Sequence, residues 1–559
     1  MTNTDFWVIG AFILLIVVIG LSFSKTSSKD MKTFFAAGGE VPWWINSLSL
    51  FMGFVSAGTF VVWGSIAYSS GWVAITIQWS MLVAGLLVGL ITAPKWHKTK
   101  SLTAAEFITN RLGDNVQKNY SYLYLAVMIF MTGTYLYAVG RILQVSTGLS
   151  LEMSIIGLGL MVIIYTTVGG LWAVVVTDVL QFVILITATF ILFPLSLTKV
   201  GGIGEFVKSA SNEGLLQFTN HEYTMTFLVA FALYNFFYLS GQYGFVQRYT
   251  SVKTPKDSRK VGFLFGALYL ILPLIWMIPP MIYRTINPGL IGLQNEGAFL
   301  MMCKEVLPAG MLGLMLVALI MASNSSLQGV LNISSGVITN DLFRRMYPGS
   351  SDKKLLFVAK IANLFFGILM IVLALLIPYM GGATEVVISI GSLTGAPMYL
   401  PILWALYSKR QNGKSAMAIT IVSLIFMFAL KFLTPVIFNF TLAMEWEMAW
   451  SIIFPTIAII ISEVWLKSIK YDNKAYYNYI ASQTEKARNR IDNSTEAQEE
   501  NNQGIRMIGI GIIVTGIIIA ILGILDASGR EYVIGIASVL ILIGGLIIFK
   551  SSKKTIDVT

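Results

Sequence analysis

Two polar features interrupt long apolar stretches of this chain, and both are built from oxygen. Asp178 follows an apolar run in LWAVVVTDVLQFVILI, and Met321-Ala322-Ser323-Asn324-Ser325-Ser326 sets four polar residues in a row inside another. A carboxylate in such surroundings is costly without a cation or donor beside it. Asp178 therefore has two readings, which both stay open on sequence alone. Structurally, it could cap a neighbouring helix or accept from a tyrosine. Functionally, it would stand behind a cation site. Hydroxyls in membrane helices commonly bond the carbonyl one turn back, which accounts for most buried serines but not for four consecutive polar residues. Paired hydroxyls together with carbonyls freed at a helix break would form a neutral, all-oxygen set that suits a hard cation such as sodium. The Asn324-Ser325-Ser326 match to a glycosylation motif is accidental inside such a segment. Candidate breaks come from Gly53-Phe54-Val55-Ser56-Ala57-Gly58 and Ser240-Gly241-Gln242-Tyr243-Gly244. Glycine in membrane helices also serves packing alone, so it is the matched placement of the two clusters that favours a site.

The elements that would position these groups are membrane spans. Of 559 residues, 56% are hydrophobic and 12% charged, against roughly 25% charged in soluble domains, and mean hydropathy is +0.75. Apolar runs of about 20 residues, enough to cross a ~30 Å hydrocarbon layer, recur along the chain. The first run, Phe6 to Phe23, follows MTNTD and precedes Lys25, Lys29 and Lys32. That is the reverse of a signal peptide and fits a retained span with its N-terminus outside. About fifteen spans are expected: 5–24, 43–69, 71–94, 119–148, 151–168, 171–198, 224–244, 259–283, 309–340, 354–378, 384–408, 413–433, 448–467, 506–525 and 531–550. Cytoplasmic segments then carry 30 of the 38 Lys and Arg, including those at 245–260, and external segments carry five. The remaining three, Arg141, Lys360 and Lys431, lie near span ends, where long side chains snorkel. This positive-inside bias accounts for the +10 net charge as orientation and excludes a nucleic-acid role. The expected location is the cell (inner) membrane, with the C-terminus cytoplasmic. Trp43, Trp44 and Trp96 read as a cytoplasmic interfacial belt.

Cys303 is the only cysteine and His97 and His221 the only histidines, which excludes an internal disulfide and disfavours metal chemistry based on these residues. The chain has no P-loop or HExxH, and Gly201-Gly202-Ile203-Gly204 lacks the strand–helix context of a nucleotide loop. An integral membrane enzyme would need polar catalytic loops, and the external loops are too short. The spans group as 1–42 (extra helix and linker), 43–198 and 224–408 (two sets of five with opposite starting sides) and 409–559 (extra helices around a polar cytoplasmic loop, 467–505, partly helical or disordered). Five plus five inverted spans build a midplane site at the repeat interface.

The motifs GGLWAVVVTDVLQ (169–181), GQYGFVQRYTSVKT (241–254) and SNSSLQGVLNISSGVITNDLFRR (323–345), with FFAAGGEVPWW (34–44), resemble the sodium:solute symporter family, which carries sugars, proline and iodide. The resemblance implies an all-α LeuT-type fold with a five-plus-five inverted-repeat core, and no enzyme activity. It implies a sodium site formed by the carbonyls of Met52, Val55 and Ala322 and the hydroxyls of Ser325 and Ser326, with Asp178 beside it. Gln328 and Gly329 stand where some members have the serines of a second sodium site, so one sodium is expected. By comparison with sugar carriers, Thr59, Gln78, Asn235 and Tyr238 are the expected solute contacts, and Phe54, Tyr269 and Gly391 are further solute or gate positions. The expected activity is sodium-coupled uptake of a small, uncharged organic solute, with sugar favoured, and with the bilayer but no obligatory protein partner. A monocarboxylate or an amino acid such as proline is the alternative cargo; a sensor or channel without coupled transport is the alternative class.

Overall fold

The computed structural model describes residues 1–22, 41–101, 103–165, 171–488, 494–525 and 529–556. Among the described residues every regular element is helical. Within a bilayer this follows from the need to satisfy each backbone N–H and C=O inside its own segment. The helices that build or brace the interior are labelled in chain order: α1 (Asn3–Ser22), α2 (Trp43–Phe54), α3 (Ala57–Ser70), α4 (Val73–Lys98), α5 (Asp114–Thr147), α6 (Leu171–Lys199), α7 (Met225–Gly241), α8 (Tyr243–Thr250), α9 (Pro255–Trp276), α10 (Met311–Gly336) and α11 (Gly382–Trp404). Ten described helices are long and apolar enough to cross a membrane singly, and the bent pair α2–α3 makes an eleventh. α5, α6 and α11 bury 67% of their most apolar window, whereas Met444–Ser468 buries 22%. The former are therefore core and the latter faces lipid.

Both glycine clusters are breaks. α2 ends at Phe54 and α3 leaves at 63° to it. The new helix begins with a local cap, in which Ser56 Oγ accepts from Gly58 N at 3.2 Å and Thr59 Oγ1 accepts from Ser56 N at 3.2 Å. Such caps satisfy donors that a broken helix would otherwise bury unpaired. α7 ends at Gly241, and Gln242 caps α8 by accepting from Phe245 N at 2.8 Å. Its amide nitrogen also donates to the Tyr124 hydroxyl of α5 at 2.9 Å, so one side chain both starts a helix and pins it. Gly241 is required there, since a Cβ would fall 2.6 Å from the Tyr399 ring of α11.

α1 is braced against α10. Asp5 is buried, and its Oδ1 accepts from Gly310 N at 2.8 Å and Gly313 N at 2.9 Å. A carboxylate on the positive end of a helix is favoured twice, by hydrogen bonding and by the helix dipole.

Two local expectations need correction. Trp96 is fully buried, its indole N–H donating to Ser240 O at 2.7 Å, so it anchors α4 to the second break and is not interfacial. Arg248, counted with the cytoplasmic bases, lies inside α8 and is buried, because the second broken span continues eight residues past Gln242. The loop 467–505, expected to be partly helical or disordered, holds a helix at Lys474–Arg488 and the start of the next at Ser494. Tyr479 packs edge-on against Phe107 at 5.8 Å.

Candidate solute and cation site

The first break lies against α10. Ser323 Oγ accepts from Ala57 N at 2.7 Å and donates to Leu319 O at 3.2 Å. One turn on, Ser326 Oγ stands 3.5 Å from Gly53 O. Two oxygens at right angles around a hard cation, each about 2.3–2.6 Å from it, are about 3.3–3.7 Å apart, so this spacing suits a shared cation as well as a long hydrogen bond. Met52, Val55 and Ala322 are fully buried at the same junction. The side chains of Ser325 and Gln328 lie outside the described residues. Among the described residues no group of three His, Cys, Asp or Glu could hold a metal ion.

Asp178 is fully buried behind this junction. Ser49 Oγ, one turn before Met52, donates to Asp178 Oδ2 at 2.6 Å and accepts from Arg248 Nε at 3.0 Å. Arg248 NH2 also approaches Asp178 Oδ2 at 3.6 Å. The carboxylate thus has its compensating cation, and α2, α6 and α8 meet on one ionic triad. Arg248 and Ser49 were missed in the sequence, and Ser323 was noted only as part of the polar run 321–326. The available signal was an arginine four residues after Gly244 on a half-helix that buries Tyr243, Phe245, Val246 and Tyr249.

Beyond the break a cavity opens between α3, α4, α5, α7 and α11. Phe54, Thr59, Asn235 and Tyr238 all line it, so four of the seven expected solute or gate positions converge. Asn235 Nδ2 donates to Phe231 O at 2.8 Å, which leaves its carbonyl oxygen outside that bond. Aromatic rings close the end toward α8: Tyr238 contacts Phe54, Phe245 and Tyr399 with ring centroids 6.0, 5.6 and 5.9 Å away. Serine, threonine, asparagine and tyrosine supply the polar lining, together with Trp63 and Phe231, and none of the lining residues is charged.

The other three positions stand behind that wall. Gln78 is fully buried, and its Oε1 accepts from Trp276 Nε1 at 2.9 Å while its Nε2 has no partner among the described residues. Tyr269 packs on Phe54 at 5.9 Å. A Cβ at Gly391 would meet the Tyr234 ring at 3.1 Å.

Two discontinuous helices, hydroxyls facing one break and a cavity lined by polar and aromatic side chains beside it describe a multi-pass secondary transporter. The sequence model of the sodium:solute symporter family matches residues 34–423; the chain belongs to that family. Its activity is therefore transport, coupled to sodium, and not catalysis. The chain is 27% identical to the sodium/glucose cotransporter of Vibrio parahaemolyticus, over 77% of this chain and 85% of that protein. It is 28% identical to mouse sodium/myo-inositol cotransporter 2, over 76% and 69%. It is 26% identical to the sodium/sialic acid symporter SiaT of Proteus mirabilis, over 77% and 89%. The solved outward-open structure of a Na+-coupled sialic acid symporter superposes with a TM-score of 0.69 at 24% identity, covering 83% of this chain and 98% of that one, and thus shares the fold.

Proposed function

We propose that the chain imports a small, uncharged, hydroxyl-rich solute, a sugar or polyol, together with one sodium ion by alternating access. The observation that carries this reading is the cavity beside the break, lined by hydroxyl, amide and aromatic side chains and by no charged one. Aromatic faces suit the apolar face of a sugar ring, while hydroxyls and amides suit its edge. An ionised solute would have to shed water with no fixed counter-charge in the wall. Two of the relatives are named for glucose and myo-inositol, which agrees with this chemistry. A cargo resembling sialic acid would bring a carboxylate that the lining does not match.

In this reading the carbonyls of Met52, Val55 and Ala322 and the hydroxyls of Ser325 and Ser326 hold sodium between α2 and α10. Filling that site fixes the break and thereby shapes the cavity wall at Phe54 and Thr59. Rocking of one five-helix set (43–198) against the other (224–408) then separates the sodium ligands and frees both cargoes on the cytoplasmic side. In this reading the protein sits in the inner membrane, and the distribution of basic segments supports an external N-terminus and a cytoplasmic C-terminus. Counterflow in proteoliposomes tests the class: preloaded unlabelled sugar or polyol should accelerate entry of the labelled compound only when sodium is present. Sodium currents that flow without any solute would instead favour a channel.

A further inference from the structure

The polar loop 467–505 takes no part in the site described above, yet its helix Lys474–Arg488 is tied to the ends of two core helices. Asn473 caps the start of this helix, its Oδ1 accepting from Tyr476 N at 3.2 Å. Its Nδ2 lies 3.1, 3.2 and 2.8 Å from the carbonyls of Lys409, Arg410 and Gln411, just past α11. Tyr476, Tyr479 and Gln483 follow at helical spacing and so share one face. Each of them reaches the first half of the fold. The Arg111 guanidinium stands over the Tyr476 ring at 5.0 Å, and Tyr479 packs edge-on against Phe107. Arg111 and Phe107 both belong to the short helix Ala104–Leu112. Gln483 Nε2 donates to Thr99 O, just past α4, at 2.7 Å. Tyr477, on the opposite face, is 61% exposed.

One helix thus bridges the ends of α4 and α11, which belong to the two five-helix sets that rock against each other in the cycle above. We propose that Lys474–Arg488 is a conformational latch: seated, it holds these two ends together and keeps the cavity shut toward the cytoplasm, and lifting it is part of opening to that side. The proposal rests on the transport reading above. With its amide among three carbonyls, Asn473 is the fixed end of the latch, and the single Gln483–Thr99 bond is the end that releases. Arg111 makes the seated state easy to leave. It is 1% exposed and its Nη2 donates to Ser408 O at 2.7 Å, but its Nε and Nη1 have no partner among the described residues. Burying guanidinium donors unpaired carries a cost that hydration removes once the helix lifts. The face of the Tyr476 ring offsets part of that cost while the helix is seated. Seated and lifted states are thereby kept close in free energy, as a device that moves at every turnover requires.

The test reads which face of the membrane reaches the cavity, and it needs no knowledge of the cargo. Cys303, the single and buried cysteine, is replaced by serine, and Val62→Cys is introduced on the cavity wall. The new thiol is labelled with a membrane-impermeant maleimide, in inside-out vesicles and separately in intact cells. Gln483→Leu deletes the bond to Thr99 and should speed labelling from the cytoplasmic face about fivefold, the weight of one hydrogen bond, with no gain from outside. Tyr476→Leu should act in the same direction with that bond intact, while Tyr477→Ala on the exposed face should change neither rate. If Gln483→Leu does not fold, Tyr476→Leu decides alone. Unchanged or slower labelling from the cytoplasmic face overturns the latch. So does faster labelling from outside alone or from both faces, the latter being what general loosening of a merely structural helix would give. Solute-coupled sodium flux, measured separately on the unmodified protein, tests the transport reading itself, so the two ideas fail by different results.

Discussion

Arg248 and Asp178 lie 3.6 Å apart, 70 residues from each other in sequence, with the Ser49 hydroxyl bonded to both. The pair joins the inner halves of the two broken spans through α6. Asp178→Asn keeps the shape and most hydrogen bonds, but it leaves the Arg248 charge buried and uncompensated close to the proposed sodium ligands. At an effective dielectric near 20 such a charge opposes a nearby cation by roughly 1–2 kcal/mol, or about tenfold in affinity. The sodium concentration for half-maximal uptake should rise accordingly, while the purified variant still elutes as a folded species. An unchanged sodium dependence would make the triad purely structural.

Removing only the arginine should be worse for stability. Arg248→Met strands a buried carboxylate, a class of change that costs roughly 3–5 kcal/mol, whereas replacing both charges of a buried pair is often close to neutral. Arg248→Met with Asp178→Asn is therefore expected to melt nearer the parent than Arg248→Met alone. Strict additivity in the thermal-shift cycle would deny the coupling.

Ser325→Ala with Ser326→Ala deletes two proposed sodium ligands. Sodium should stabilise the parent protein against heat more than lithium or potassium does, and this difference should vanish in the double variant. Normal uptake at low sodium by the double variant would place the ion elsewhere.

Asn235→Leu removes the carbonyl oxygen that the Phe231 contact leaves uncommitted. Leaving a solute hydroxyl unpaired costs about 1–3 kcal/mol, so KM for solute should rise about tenfold or more while sodium-dependent thermal stabilisation is retained. Loss of both together would point to a collapsed α7.

Much of this was legible in the sequence because it is local. Hydropathy marked the chain as a multi-pass membrane protein, and glycine clustered with polar residues marked the places where α2–α3 and α7–α8 bend. Contacts made across the fold were not. Arg248 opens a segment, QRYTSVKTPKDSRK, that reads as a basic cytoplasmic loop, and only tertiary packing shows that its first turn is buried. Gln78 is bound to Trp276, 198 residues away, so its place behind the wall could not be read from its own helix. Trp96 has the composition of an interfacial residue, yet it donates to a carbonyl at the second break. Glu296 sits in an exposed-looking loop, and its two partners, Tyr137 and Ala383, lie 159 and 87 residues away.

The proposed stoichiometry of one sodium rests on what stands at 328 and 329. Glycine offers no side-chain oxygen, and Gln328 lies two positions past Ser326, around the helix from it. One sodium per solute predicts a Hill coefficient near one and movement of one charge with each neutral solute, with about 2.3 kcal/mol available per 100 mV. A reversal potential that fits two ions would reveal a second site.

The most direct test of sodium-coupled transport of an uncharged solute is parallel tracer flux in proteoliposomes. Labelled sodium and labelled solute would be followed together across a panel of sugars, polyols, amino acids and monocarboxylates. At least one uncharged sugar or polyol should enter only with sodium, draw sodium in with it in fixed proportion, and stop accumulating when an ionophore collapses the gradient. Entry of that solute at the same rate in choline, or sodium coupling confined to ionised members of the panel, would contradict the account.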